Sequence, residues 1–141
     1  GKGFICRMED VVAETRKGRG VVGLKPGARL QVVRLAPAEA GDEASLKDQY
    51  VAVVGDNRKL VVFPMSEIPE MAKGQGVTLQ RYKDGGLSDA VCFRLSEGLS
   101  WTMGGESNRT RTESDLTQWR VARGAAGRLP PQGFPRNNRF D

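Results

Sequence analysis

The apolar residues of this chain fall in short runs, each closed off by glycine-rich or charged stretches. The clearest are LQVVRL (Leu30–Leu35), YVAVV (Tyr50–Val54), KLVVF (Lys59–Phe63), AVCFRL (Ala90–Leu95) and LSWTM (Leu99–Met103). Runs of this length, rich in Val, Phe and Trp and bounded by turn residues, predict strands. YVAVV turns through Gly55-Asp56-Asn57-Arg58 into KLVVF. LSWTM turns through Gly104-Gly105-Glu106-Ser107 into NRTRT (Asn108–Thr112). Both read as hairpins in which Gly or Asn supplies the positive φ that tight loops require. Pro64 and Pro69 break the one stretch that could have made a longer helix. The pattern is all-β.

The runs also repeat. Phe4–Val21 (FICRMEDVVAETRKGRGV) lies over Leu60–Val77 (LVVFPMSEIPEMAKGQGV) without a gap, fifty-six residues apart. Each starts with an apolar run, passes through a short acidic piece and ends on Lys-Gly-x-Gly-Val. A degraded third copy, SDLTQWRVARGAAGRL, begins at Ser114. There Leu116 stands over Ile68, Trp119 over Met71, and Arg123-Gly124-Ala125-Ala126-Gly127 fills the loop position. LQVVRL and AVCFRL correspond in the same way. The repeating unit is a strand, a hairpin, a helical turn, a glycine loop and another strand. About four strands per unit, at this spacing, outline a propeller-like blade. We therefore expect one domain over 1–141, with repeats at roughly 1–56, 57–106 and 107–141, making a partial array of about two to three blades.

Gly1-Lys2-Gly3 reads as a hairpin turn whose preceding strand lies outside the chain, and the chain does not open on Met. It is expected to be a piece of a longer array. No basic-then-apolar leader opens the given sequence, so export is not expected. Ala36–Asp48 is small, acidic and polar and reads as a solvated loop. The tail from Leu129 to Asp141 carries three prolines, which exclude a central strand. Phe134 and Phe140 are expected to pin it to the body. Trp101, Trp119, Met65 and Met71 are expected in the core.

Composition narrows the chemistry. The chain has 141 residues, a net charge of +5 and no histidine. Without histidine, Ser-His-Asp and Cys-His catalysis and His-ligated metals are excluded. Two cysteines, Cys6 and Cys92, cannot build a structural zinc site; in apolar runs they read as buried reduced thiols. No G-x-x-x-x-G-K-[ST] loop is present. Scattered carboxylates such as Glu9 and Asp10 read as solvated faces. The chain itself is expected to be non-catalytic, with no cofactor and no metal of its own.

The basic surplus points to a polyanion, and the repeated loops say where. Glycine admits close approach of backbone to phosphate, and flanking cations displace counterions from a nucleic acid. Arg16, Lys17 and Arg19 flank the first loop. Lys73 and Gln75 flank the second, followed by Arg81 and Lys83. Arg123 and Arg128 flank the third. Equivalent loops on successive blades would form a curved basic track, of the kind that bends duplex DNA through its backbone without reading bases. The competing reading is that Gly-x-Gly is only a tight connection between blades and its lysine is solvated. Arg109 and Arg111, alternating with threonine, read as an exposed strand face.

With these stretches in view, the chain resembles the C-terminal domain of the A subunit of bacterial type II topoisomerases. GKGFICRMEDVVAETRKGRGVVGL, RKLVVFPMSEIPEMAKGQG and ESDLTQWRVARGAAGRL carry the likeness in order over nearly the whole chain, and VVFPMSEIPEMAKGQG is the most specific. Gyrase A subunits carry a strict QRRGGKG box. Here only TRKGRG, MAKGQG and VARGAAG occur, so the topoisomerase IV side of the family is the nearer, with the gyrase wrapping domain and a propeller-like protein-interaction module as alternatives. The resemblance implies a β-pinwheel whose strand-exchanged blades present a basic rim that bends DNA. It implies double-stranded DNA as partner. It also implies an A subunit that dimerises and joins the topoisomerase IV B subunit in an A2B2 enzyme, with ATP on the B subunit and magnesium in the core. The implied setting is cytoplasmic and chromosome-associated, with peripheral inner-membrane association open to the family. The implied rim residues are Arg16, Lys17, Arg19, Lys73, Arg123 and Arg128. Arg81-Tyr82 superficially matches the family's nucleophilic Arg-Tyr, but Tyr82 follows a glycine loop inside a repeat and is rejected as a nucleophile.

Overall fold

Tyr50–Val54 and Leu60–Phe63 are apolar at every position, whereas a strand with one wet face would alternate. The computed structural model gives the reason. It describes residues 2–5, 34, 48–68, 76–81, 85–102, 109–131 and 134–140. Strand β2 (Gln49–Gly55) is buried along its whole length, and β3 (Leu60–Pro64) at all but its last residue. They form the expected hairpin, with Tyr50 opposite Pro64 and Val54 opposite Leu60. A further strand, β5 (Leu87–Arg94), pairs antiparallel with the other edge of β2, giving the order β3-β2-β5.

Both faces of this sheet are covered. Tyr50, Ala52, Val54, Leu60, Val62 and Phe93 face one core, with Leu99, Trp101, Leu116, Trp119, Phe134 and Phe140. Val51, Val53, Val61 and Phe63 face a second, with Met65, Ile68 and Leu79. Each large apolar side chain buried in this way stabilises the fold by about 1.5–3 kcal/mol.

Two smaller ladders flank the sheet. Strand β6 (Leu99–Thr102) pairs with β7 (Thr110–Glu113) as the second expected hairpin. Leu99 and Trp101 point into the core, while Ser100 and Thr112 join hydroxyls at 2.7 Å on the outer face. Arg109 and Arg111 are exposed, as expected. Strand β1 (Lys2–Gly3) pairs with β4 (Val77–Thr78), Lys2 opposite Thr78. Here the structure differs from the sequence reading: Lys2 and Gly3 are strand, not turn, and their partner lies far along the chain. Met65–Glu67 and Leu95–Glu97 are single 3-10 turns. Among the described residues no helix is long and apolar enough to cross a membrane, and no four-stranded blade is complete.

The β2–β3 turn also departs from expectation. Its positive φ belongs to Arg58, at 65°, and not to Gly or Asn. A left-handed non-glycine residue costs about 1–2 kcal/mol. The Arg58 guanidinium offsets this by donating to the carbonyls of Pro135 (3.0 Å) and Phe134 (3.3 Å) and to Oδ1 of Asn138 (3.1 Å). The segment it grips, residues 134–140, is the docked tail. Phe134 stacks at a tilt on Trp101 and edge-on against Phe140, with ring centroids 5.6 and 5.4 Å apart. The Phe140 carbonyl accepts a bond from Thr102 N–H at 2.8 Å. A register shift in β5 beside Gly55 accompanies a Ser88 hydroxyl that donates to Asn138 O at 2.8 Å.

Cys92 is a half-buried free thiol on β5. Burial pushes its pKa up, and the Arg34 charge opposes that only in part. Several expectations fall outside the described residues: LQVVRL apart from Arg34, the first glycine loop, most of the acidic loop, Met71, Cys6, and the Gly104–Ser107 turn.

Candidate nucleic-acid interface

Strand β4 leaves the second glycine loop, and the third glycine loop sits directly against that exit. Gly124 N–H donates to Leu79 O at 2.9 Å, and Arg81 N–H donates to Ala125 O at 3.3 Å. Gln80 is buried, and its Nε2 donates to both Lys59 O (2.8 Å) and Ala126 O (3.1 Å), tying the loop to the β2–β3 turn. Beyond the loop, Leu60 and Arg128 exchange both backbone bonds, at 2.7 and 3.2 Å. Val62 in turn bonds Trp119 O and Val121 N–H, so residues 119–128 cover the open edge of β3.

Glycine is required at the corner of this loop. Gly127 has φ +86°, and a Cβ there would meet Leu60 O at 2.5 Å. Gly124 shares the left-handed φ, at +87°, but its nearest neighbours lie 3.9 Å away. Both serve turn geometry and close packing on the sheet edge. The connection reading of the third loop is therefore physically sufficient for its glycines.

The cations divide by what they touch. Arg81 and Arg128 are exposed, and Lys2 is exposed on β1 across from Thr78. Arg123 is half-buried: Nη1 donates to Thr78 O at 2.6 Å, its backbone N–H to Glu67 Oε1 at 3.2 Å, and its Nε is buried without a partner. Thus Lys2, Arg81, Arg123 and Arg128 gather at one seam, where the exit of the second glycine loop meets the third. Arg16, Lys17, Arg19, Lys73 and Gln75 lie outside the described residues. Arg120 is exposed, but its guanidinium lies 5.1 Å from the Tyr50 ring centroid and bonds the Tyr50 hydroxyl at 2.9 Å. It lines an open cleft with Val62, Pro64 and Glu67. Among the described residues no group of three His, Cys, Asp or Glu side chains could hold a metal ion.

Sequence reasoning missed Arg58, Gln80 and Asp89. Arg58 and Gln80 were legible only as a turn residue and a polar residue after a strand. Asp89 is buried near the start of β5, where its carboxylate accepts from Arg34 Nη2 at 3.1 Å.

Residues 49–87, from β2 to the first residue of β5, match the family model described as the DNA gyrase C-terminal domain, a β-propeller. Two relatives, each named as the A subunit of DNA topoisomerase 4, align over 99% of the chain. That of Rickettsia bellii is 41% identical, and that of Caulobacter vibrioides 35%. The chain belongs to the family of C-terminal domains carried by the A subunits of gyrase and topoisomerase IV. It spans only 17% of the length of either relative. The C-terminal domain of Escherichia coli ParC superposes with a TM-score of 0.69 at 21% identity, covering 96% of this chain and 54% of that one. The fold is accordingly the propeller-like β-pinwheel expected from the sequence.

Proposed function

We propose that this chain is the DNA-binding and DNA-bending domain of a topoisomerase IV A subunit. It holds a duplex segment against its basic margin, helping the enzyme select the crossings or supercoils through which a second duplex is passed. The observation that supports the reading is the seam between two successive glycine loops, along which Lys2, Arg81 and Arg128 are exposed while Arg123 turns inward onto Thr78 O. The names of the relatives favour topoisomerase IV over gyrase. In this reading Arg16, Lys17, Arg19, Lys73 and Gln75 extend the same margin along repeats 1–56 and 57–106, with 107–141 as the third. The catalytic breakage of DNA, the ATP and magnesium it uses, and the pairing with the B subunit belong to the remainder of the enzyme. The setting is the chromosome in the cytoplasm.

Salt tests it. Phosphate contacts make log affinity fall linearly with log salt, with a slope of about 0.9 per phosphate neutralised. Charge reversal at Arg16, Lys17 and Lys73 together should weaken binding to every duplex sequence and flatten that slope. Unchanged affinity would leave those loops as turns and favour a protein-interaction module.

A further inference from the structure

The glycine-loop margin does not account for residues 134–140, whose sequence FPRNNRF sets two arginines between two aromatic anchors. Phe134 and Phe140 are 4% and 3% exposed, while Arg136, Asn137 and Arg139 all face solvent. Among the described residues neither arginine makes an ion pair or side-chain hydrogen bond. The backbone beneath them is held at nearly every step. Arg58 takes Phe134 O and Pro135 O, Asn138 N–H returns to Pro135 O at 3.2 Å, and Asn138 Nδ2 reaches Asp56 O at 3.4 Å. Arg139 N–H donates to Asn137 Oδ1 at 3.1 Å, and Phe140 N–H to Asp89 Oδ2 at 2.9 Å. This is a rigid mount for two charges that no described residue engages.

The mount also adjoins the seam. Arg128 is paired with Leu60, and Leu60 follows Arg58 by two residues, a Cα span of at most about 7 Å. The β2–β3 turn therefore has the third glycine loop on one flank and the 134–140 strap on the other. The one acidic side chain in that turn, Asp56, already accepts Gly86 N–H at 3.2 Å.

We propose that the strap is a second phosphate-contacting element, with Arg136 and Arg139 extending the duplex path around the β2–β3 turn from the seam of Arg81 and Arg128. The inference rests on the duplex-binding reading above. A backbone already fixed is well suited to this, because little ordering entropy remains to be spent when the phosphates arrive. The contacts are to the DNA backbone alone, so they position the duplex and carry no sequence preference.

The test is duplex binding by this chain over a salt series, comparing the wild type with R136Q/R139Q. Two exposed side chains are changed, so the melting temperature should stay put. The expected result is a salt slope lower by about two and, at about 0.1 M salt, an affinity lower by roughly tenfold or more for every duplex sequence. Wild-type binding with unchanged affinity and slope in the variant overturns the strap proposal and leaves the seam reading intact. Loss of binding to polyglutamate but not to duplex would assign the strap to an acidic protein surface and also overturn it. A wild type that binds no duplex at low salt removes the seam reading and this inference together.

Discussion

The backbone N–H of Phe140 donates to the carboxylate of Asp89, across fifty-one residues of chain. Asp89 is almost fully buried, and it also accepts Arg34 through both oxygens at 3.1 Å. One carboxylate thus joins strand, strap and Arg34. Asp89→Ala takes an acceptor from a buried N–H and one of the partners of the Arg34 guanidinium. It should cost about 2–4 kcal/mol. Asp89→Asn keeps an acceptor and should cost less. Urea unfolding midpoints would rank the two; an alanine variant as stable as wild type would remove Asp89 from this role.

The two loop glycines separate strain from collision. Gly124→Ala suffers only the left-handed backbone, about 1–2 kcal/mol. Gly127→Ala adds a contact at 2.5 Å with Leu60 O and must push the loop off the β3 edge. We expect Gly127→Ala to lower the melting temperature clearly more than Gly124→Ala. Equal effects would mean that residues 119–128 are not seated on β3.

Phe134 packs between Trp101 and Phe140 at 4% exposure. Truncation to alanine should cost about 3–5 kcal/mol and release the strap. Limited proteolysis between 135 and 139 would then speed up well before global melting. Unchanged cleavage kinetics would show that the strap holds without its aromatic anchor.

Cys92 offers a pH reading. Burial raises its folded pKa above the unfolded value, so the neutral thiol is favoured in the native state. Its contribution to stability is therefore fully present below the unfolded pKa and is lost as pH rises through the folded one. Alkylation of Cys92, followed by peptide mass spectrometry, should be slow near neutrality and accelerate only in the alkaline range. Rapid labelling at pH 7 would contradict its burial.

Much of the fold was legible because local rules decide it. Both hairpins, the core placement of Trp101, Trp119 and Met65, and the anchoring of the tail by Phe134 and Phe140 follow from apolar runs, turn residues and isolated aromatics. What escaped depends on long-range register. Nothing local tells Lys2 that its partner is Thr78, so a Gly-Lys-Gly strand reads as a turn. Arg58 takes a left-handed turn position that Gly or Asn would ordinarily hold, because three acceptors sit about eighty residues away. Arg123 has a charge like its neighbours, yet its guanidinium turns inward onto Thr78 O. The basic character of the margin was readable; which of its cations turn inward was not.

The covering of β2 on both sides has a consequence during synthesis. The hairpin through Pro64 leaves the ribosome about seventy residues before Phe134 does, which at about 5–20 residues per second is roughly 4–14 s. Over that interval the side of Tyr50, Ala52 and Leu60 gains Phe93, Trp101 and Trp119 one after another, and it is not closed until Phe134 and Phe140 follow, so the nascent chain presents wet, adhesive apolar surface. Chaperone dependence should therefore track translation speed over the codons that follow Pro64.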